Sequence, residues 1–206
     1  MAELLRTHPL EARHPLEARH PLEAWSAAFA RLPETVAIAA EPFVAMVDVR
    51  LGAVDAAASA ALGAELPAAP NTWVPAGSGR AVWLGPDEWL LTSPTEAPEE
   101  LEARVRAAVL PLGGSATDVS AQRIGLRLTG ARVRDVLTKG CSIDLHPRVF
   151  GRGRSAQTTL GRAGVVLLSL SDGGDDHVVL VRSSFAGYLA DWLLDAALEF
   201  TPTHDS

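Results

Sequence analysis

Twice along this chain a stretch with a two-residue hydrophobic period gives way to one with a helical period, in nearly the same order both times. Phe43, Ala45, Val47, Val49 and Leu51 alternate with Val44, Met46, Asp48 and Arg50, which is strand spacing. Val54, Ala57, Ala58, Ala61 and Leu62 then share one helical face, ended by Gly63 and Pro67. Ala81 to Leu84 and Trp89 to Thr92 flank Gly85-Pro86-Asp87-Glu88, which reads as a hairpin turn. Pro98 suits a first helical turn, and Leu101, Val105, Ala108 and Val109 supply its buried stripe before Gly113-Gly114. The second round begins with Ile124, Leu126 and Leu128 in a strand. A short helix through Val133, Val136 and Leu137 follows, with Gly140 as its stop. Strands are predicted at Ser155 to Leu160, Val165 to Leu170 and Val178 to Val181. A last helix carries Phe185, Tyr188, Leu189, Trp192, Leu193 and Ala196 as its apolar stripe, with Ser183 or Ser184 as its cap. Two consecutive units of split-βαβ character predict an α+β fold of two ferredoxin-like halves, about 40–115 and 116–200. The sheets are expected to be mostly antiparallel, with helices on one face.

Outside this rhythm lies a tract with no fold period. His8-Pro9-Leu10-Glu11-Ala12-Arg13 recurs at His14 to Arg19 and again at His20 to Ala24, where Trp25 replaces the final Arg. A proline every sixth residue disfavours a continuous helix, so 1–25 reads as a mobile tail and 26–206 as the domain. Glu3, Arg6, His8 and Glu11 break any apolar leader, and no uncharged run approaches the ~20 residues of a membrane span. Cys141 is the only cysteine, so no internal disulfide is available, and a cytoplasmic protein is expected.

The net charge of -7 argues against bulk nucleic-acid binding, but its distribution is uneven. Val119 to Arg162 holds nine Lys or Arg residues against only Asp135 and Asp144, a local balance of +7 on an acidic chain. Within it, His146-Pro147-Arg148-Val149-Phe150-Gly151-Arg152-Gly153-Arg154 pairs glycines that permit close approach with three arginines that suit an anion. The segment lacks the Gly-Lys-Ser/Thr ending of a phosphate loop, and a strand rather than a helix follows it. It reads as a solvated loop, a contact for an acidic partner surface, or a small-anion site. Trp73, in a Pro-rich loop, is the aromatic candidate for the same interface. Cys141, Asp144 and His146 invite a thiol-enzyme reading, yet no flanking nucleophile signature accompanies them. They also fall short of the four ligands of a structural zinc site. Asp191, Asp195 and Glu199 sit opposite the apolar stripe of the last helix, as a solvated face would. No catalytic, cofactor-binding or metal-ligating residue is assigned.

Four segments together carry a family resemblance. Trp83-Leu84-Gly85-Pro86-Asp87-Glu88-Trp89-Leu90-Leu91 and Thr117-Asp118-Val119-Ser120-Ala121-Gln122-Arg123 are two of them. Gly140-Cys141-Ser142-Ile143-Asp144-Leu145-His146-Pro147 and Ser183-Ser184-Phe185-Ala186-Gly187-Tyr188 are the others. In this order, between Phe43 and Phe200, they resemble the gamma subunit of heterotetrameric sarcosine oxidase. The resemblance implies a subunit with a fold like the folate-binding domain of aminomethyltransferases, packed against an alpha subunit, with beta and delta in the same complex. It implies that FAD, FMN, NAD, zinc and tetrahydrofolate belong to those partners, and that the whole complex demethylates sarcosine to glycine with hydrogen peroxide as coproduct. The one-carbon unit then passes to tetrahydrofolate or leaves as formaldehyde. The competing expectation is a stand-alone tetrahydrofolate-binding or aminomethyltransferase-like protein. Fold alone does not decide it; a pterin needs a carboxylate, for which Asp118 is the candidate.

Overall fold

The computed structural model describes residues 20–52 and 56–201, as two five-stranded antiparallel sheets with helices on their outer faces. A four-residue helix α1 (Ser26–Phe29) leads into β1 (Ala37–Ala40) and β2 (Ala45–Arg50). Then come α2 (Ala56–Leu62), β3 (Trp73–Ala76), β4 (Gly79–Gly85), β5 (Glu88–Ser93), α3 (Pro98–Val109) and β6 (Ser115–Asp118). The second round is β7 (Arg123–Thr129), α4 (Val133–Thr138), β8 (Ser155–Leu160), β9 (Ala163–Ser169), β10 (Asp176–Arg182) and α5 (Ala186–Ala197).

One sheet has the order β3-β4-β5-β2-β6 and the other β1-β7-β10-β9-β8. Without their extra edge strands β3 and β8, both follow one plan. β2, α2, β4, β5, α3 and β6 form the split-βαβ unit of one half. In the other half β7, α4, β9, β10 and α5 do the same, and its last strand is β1, from the opposite end of the chain. Ile38 of β1 pairs with Leu128 and packs into the second half's core, so the two rounds of sequence interlock.

The inner faces meet through Met46, Val82, Leu84 and Leu90 on one side and Val166, Leu168, Val178 and Leu180 on the other. The outer face of the first sheet packs Val47, Val49 and Leu91 against Leu101 and Val105 of α3. The outer face of the second packs Leu126, Val179 and Val181 against Val136 of α4 and Leu189 of α5. Central strands are therefore covered on both faces. This is why β9 and β10 read as nearly continuous apolar runs instead of strict alternation. α3 begins as its sequence predicts: Pro98 needs no donor in the first turn, and the Ala97 N–H donates to Glu100 Oε2 at 3.3 Å. Among the described residues no helix is long and apolar enough to cross a membrane.

Four expectations change. The first two copies of the six-residue repeat lie outside the described residues, but the third is folded. Leu22 is completely buried, and Trp25 lies against Gly187 and donates Nε1–H to Asp191 Oδ1 at 2.7 Å. Trp73 is not in a loop: it opens β3, is 8% exposed, and donates its Nε1–H to the Ser169 carbonyl at 2.9 Å, tying one sheet to the other. Ser183 does not cap the last helix; its hydroxyl donates to the Ala121 carbonyl at 3.1 Å, and a short 3-10 turn precedes α5. Phe185 and Tyr188, assigned to the buried stripe, are 44% and 38% exposed, because Phe185 precedes α5 and the buried face of that helix is made by Ala186, Leu189, Ala190, Leu193, Ala196 and Ala197.

Candidate functional site

The segment from Lys139 to Arg154 joins α4 to β8 and carries the arginine-rich motif. It starts under tight steric control. The helix ends at Thr138, and a Cβ on Gly140 would lie 2.4 Å from the Trp192 ring and 2.8 Å from the Gly161 backbone nitrogen. Gly140 is thus required by close packing against α5 and the β8–β9 turn. The Gly161 N–H donates to the Gly140 carbonyl at 3.0 Å and closes that contact.

Cys141, next in line, is buried, and its Sγ meets Thr158 Oγ1 at 3.9 Å. Asp144 Oδ1 accepts the His146 backbone N–H at 2.8 Å, and His146 Nδ1 accepts the Arg148 backbone N–H at 3.2 Å. The three residues that suggested a thiol enzyme are thus engaged separately, two of them in shaping a turn. Among the described residues no group of three or more His, Cys, Asp or Glu is placed to hold a metal ion.

The tip of the connection is anchored from below. Phe150 is buried and stacks on His177, with ring planes 5° apart and centroids 6.3 Å apart. His177 itself is fully buried on β10, and neither ring nitrogen has a hydrogen-bond partner among the described residues. Burial pushes its pKa down to about 4, against the pull of Asp176 and Asp175, so the imidazole is neutral at physiological pH. The far side of the tip is held by β3: the Trp73 N–H donates to the Gly153 carbonyl at 2.8 Å, and Thr72 bridges to Arg154. Gly153 N–H and the Ser169 carbonyl are paired at 3.2 Å, and the same carbonyl receives the Trp73 indole. Trp73 therefore braces the loop that carries the arginines.

What the anchored tip presents is charge without a counterion. Arg148, Arg152 and Arg154 are exposed, and none has a carboxylate within ion-pair distance among the described residues. Val149 stands between them, 53% exposed. Three other basic residues of the stretch are matched internally. Arg127 grips Asp176 through bonds of 3.0 and 2.7 Å, Arg132 pairs with Asp135 at 3.1 Å, and Lys139 pairs with Glu199 at 2.6 Å. Asp191 on the last helix serves Trp25, and Glu199 in the 3-10 turn after it serves Lys139, so these acids are occupied by the chain's own groups.

Asp118, the carboxylate considered for a pterin, lies at the exposed end of β6. Its Oδ1 accepts both the backbone N–H and the hydroxyl of Ser120, at 2.9 and 2.6 Å. It is not among the residues that line two depressions of the surface, one between α2, β5 and α3 and one beside Arg123 and Arg182. The stand-alone folate reading is not favoured.

Comparison with known proteins completes the picture. Residues 47–199 match the model of the sarcosine oxidase, gamma subunit family. The sarcosine oxidase subunit gamma of Corynebacterium sp. (strain P-1) is 42% identical over 148 residues, 70% of each chain. That of an Arthrobacter species is 41% identical over 150 residues, 72% of each. Among solved structures, a chain of the heterotetrameric sarcosine oxidase from Corynebacterium sp. U-96, in complex with pyrrole 2-carboxylate, superposes with a TM-score of 0.79 at 34% identity. That match covers 91% of this chain and 98% of the other. The glycine cleavage system aminomethyltransferase T from Bartonella henselae superposes with a TM-score of 0.58 at 11% identity over 82% of this chain and 48% of its own, a likeness of fold.

Proposed function

Because this chain belongs to the sarcosine oxidase gamma subunit family, we propose that it is the non-catalytic gamma subunit of a heterotetrameric sarcosine oxidase. It sits against an alpha subunit, with beta and delta subunits in the same cytoplasmic assembly. The observation that carries this reading is the superposition along almost the full length of a chain that belongs to such an oxidase. In this proposal FAD, FMN, NAD, zinc and tetrahydrofolate reside on the partners. The complex oxidatively demethylates sarcosine to glycine, with hydrogen peroxide as coproduct and the one-carbon unit passed to tetrahydrofolate.

The basic connection supplies the chain's part in that assembly. Arg148, Arg152 and Arg154 are exposed on the same connection as the exposed Val149, which Trp73 and Phe150 brace, and this combination suits an acidic, partly apolar partner surface. A permanent interface of this kind buries more than roughly 2,000 Å² in total. Co-expression with the neighbouring alpha, beta and delta genes tests the reading: the chain should co-elute in a 1:1:1:1 complex that loses stability without it. A chain that stays monomeric, beside three subunits whose activity and stability are complete without it, would refute it.

A further inference from the structure

Two depressions in the surface differ in how their charges are met. One, of about 510 Å³, lies between α2, β5 and α3. Its arginine is fully engaged: Arg104 holds Glu96 through bonds of 2.7 and 3.0 Å and donates to the Leu62 carbonyl at 3.1 Å. The other, of about 570 Å³, opens at the end of the inner sheet faces, where apolar packing gives way to polar groups. Arg123 and Arg182 lie there side by side, as cross-strand partners on the last rung of the β7–β10 ladder. Val166 and Leu180 line its apolar floor, and Phe185 stands at the rim, 44% exposed.

Neither of these arginines has a carboxylate within ion-pair distance among the described residues. The acids that act on Arg123 are committed elsewhere: Arg50 holds Glu88 at 2.9 Å and Asp48 at 3.7 Å. Like charges directly opposite one another on a ladder are destabilising, and a partly buried guanidinium without a counterion is costly. Burial, and then the charge of Arg182, hold the Arg123 pKa below its ordinary value, while Asp48 and Glu88 oppose this only from a distance. An anion that enters the depression relieves both penalties.

We propose that the Arg123–Arg182 depression is a binding site for a carboxylate attached to an apolar group. Adjacent guanidiniums on one rung can take the two oxygens of one carboxylate, while Val166, Leu180 and Phe185 receive the hydrocarbon. The carboxylate has two possible sources, a free small molecule or an Asp or Glu side chain of a partner subunit.

Benzoate is the probe, with neutral benzamide as control, on the full chain carrying labelled Val and Leu methyls. Benzoate should shift the Val166 and Leu180 methyl resonances in a saturable way, and benzamide should not. Arg182→Gln, on an exposed residue, should weaken binding by about tenfold or more, and Arg123→Gln likewise. The same titration on the assembled complex separates the sources. Persistent shifts there identify an open small-carboxylate site. Loss of the shifts, with Arg182→Gln weakening assembly, identifies a partner carboxylate as the occupant. No saturable shift in the free chain, together with wild-type assembly of Arg182→Gln, overturns the proposal. The free-chain arm does not depend on the oxidase reading: benzoate binding by a chain that never assembles would refute that reading and leave this site standing.

Discussion

The connection from α2 to β3 and the connection from α4 to β8 occupy equivalent places in the two halves, yet the fold uses them in opposite ways. The first, residues 63–72, has Glu65 as its only charged residue and turns inward. Leu66 and Pro67 are buried, and the Pro67 carbonyl accepts the Trp89 indole N–H at 2.9 Å. The second, residues 139–154, also buries large apolar side chains, Leu145 and Phe150, but directs Arg148, Val149, Arg152 and Arg154 outward. The two meet where Ser155 N–H donates to the Asn71 carbonyl and Thr72 bridges to Arg154. One position in the topology can thus be given to packing in one half and to presentation in the other. The difference lies in charge, since both connections are fastened at comparable depth.

If both are fastened, their anchors should be the most costly residues to remove. Phe150→Ala should cost about 3–5 kcal/mol and Leu66→Ala about 2–5 kcal/mol, read as lower urea midpoints with unchanged slopes. A Phe150→Ala loss below about 1 kcal/mol would mean that the second connection is not seated through its ring, and the comparison would break.

His177 has no counterpart beneath the first connection, and it should make the second half acid-sensitive. The unfolded imidazole protonates near 6.5 and the buried one only near 4. Its contribution is therefore complete above pH 6.5 and drains away as pH falls towards 4, on the order of 3 kcal/mol in all. His177→Leu should flatten the stability–pH curve across that window. A curve parallel to wild type would show that the imidazole is not held neutral.

Smaller effects sharpen the contrast at the loop tips. Gly153 has φ of +84°, so Gly153→Ala should cost about 1 kcal/mol by equilibrium unfolding even though there is room for the methyl group. Glu65→Gln, on the first connection, should change stability by less than about 0.5 kcal/mol and leave co-elution with partner subunits unchanged. Weakened co-elution in that variant would give the first connection a share in docking.

Most of the parts of this molecule that were legible in the sequence have two buried faces or a long helical stripe, although the edge strand β8 and the short helix α4 were legible too. β2, β5, β7, β9 and β10 are central strands, and α3 and α5 run for three turns each. The three strands that periodicity did not reveal, β1, β3 and β6, are all sheet edges. β3 contains Pro75, which an edge tolerates because one row of its backbone donors has no ladder partner, and β6 buries only Ala116. The family resemblance was legible from four scattered segments, and the fold matches it. The arginine loop could be found from composition. Its brace could not, because Trp73 and Gly153 are brought together only by the meeting of two sheet edges. The Arg123–Arg182 pair was hidden for the same reason, since strand register alone places those residues side by side. Helical spacing also misled at Phe185 and Tyr188, where large apolar residues at the edge of the stripe lie outside the face that small alanines and leucines bury.

The central claim is that the second connection docks a partner through charge that the fold itself leaves unmatched. It is tested most directly by the assembly affinity of Arg148→Ala/Arg152→Ala/Arg154→Ala with the remaining subunits, at low and at high salt. The account predicts an unfolding free energy within about 0.5 kcal/mol of wild type and association roughly tenfold weaker at low salt, with the gap closing as salt screens the interface. Wild-type association at low salt, with the fold intact, would contradict it.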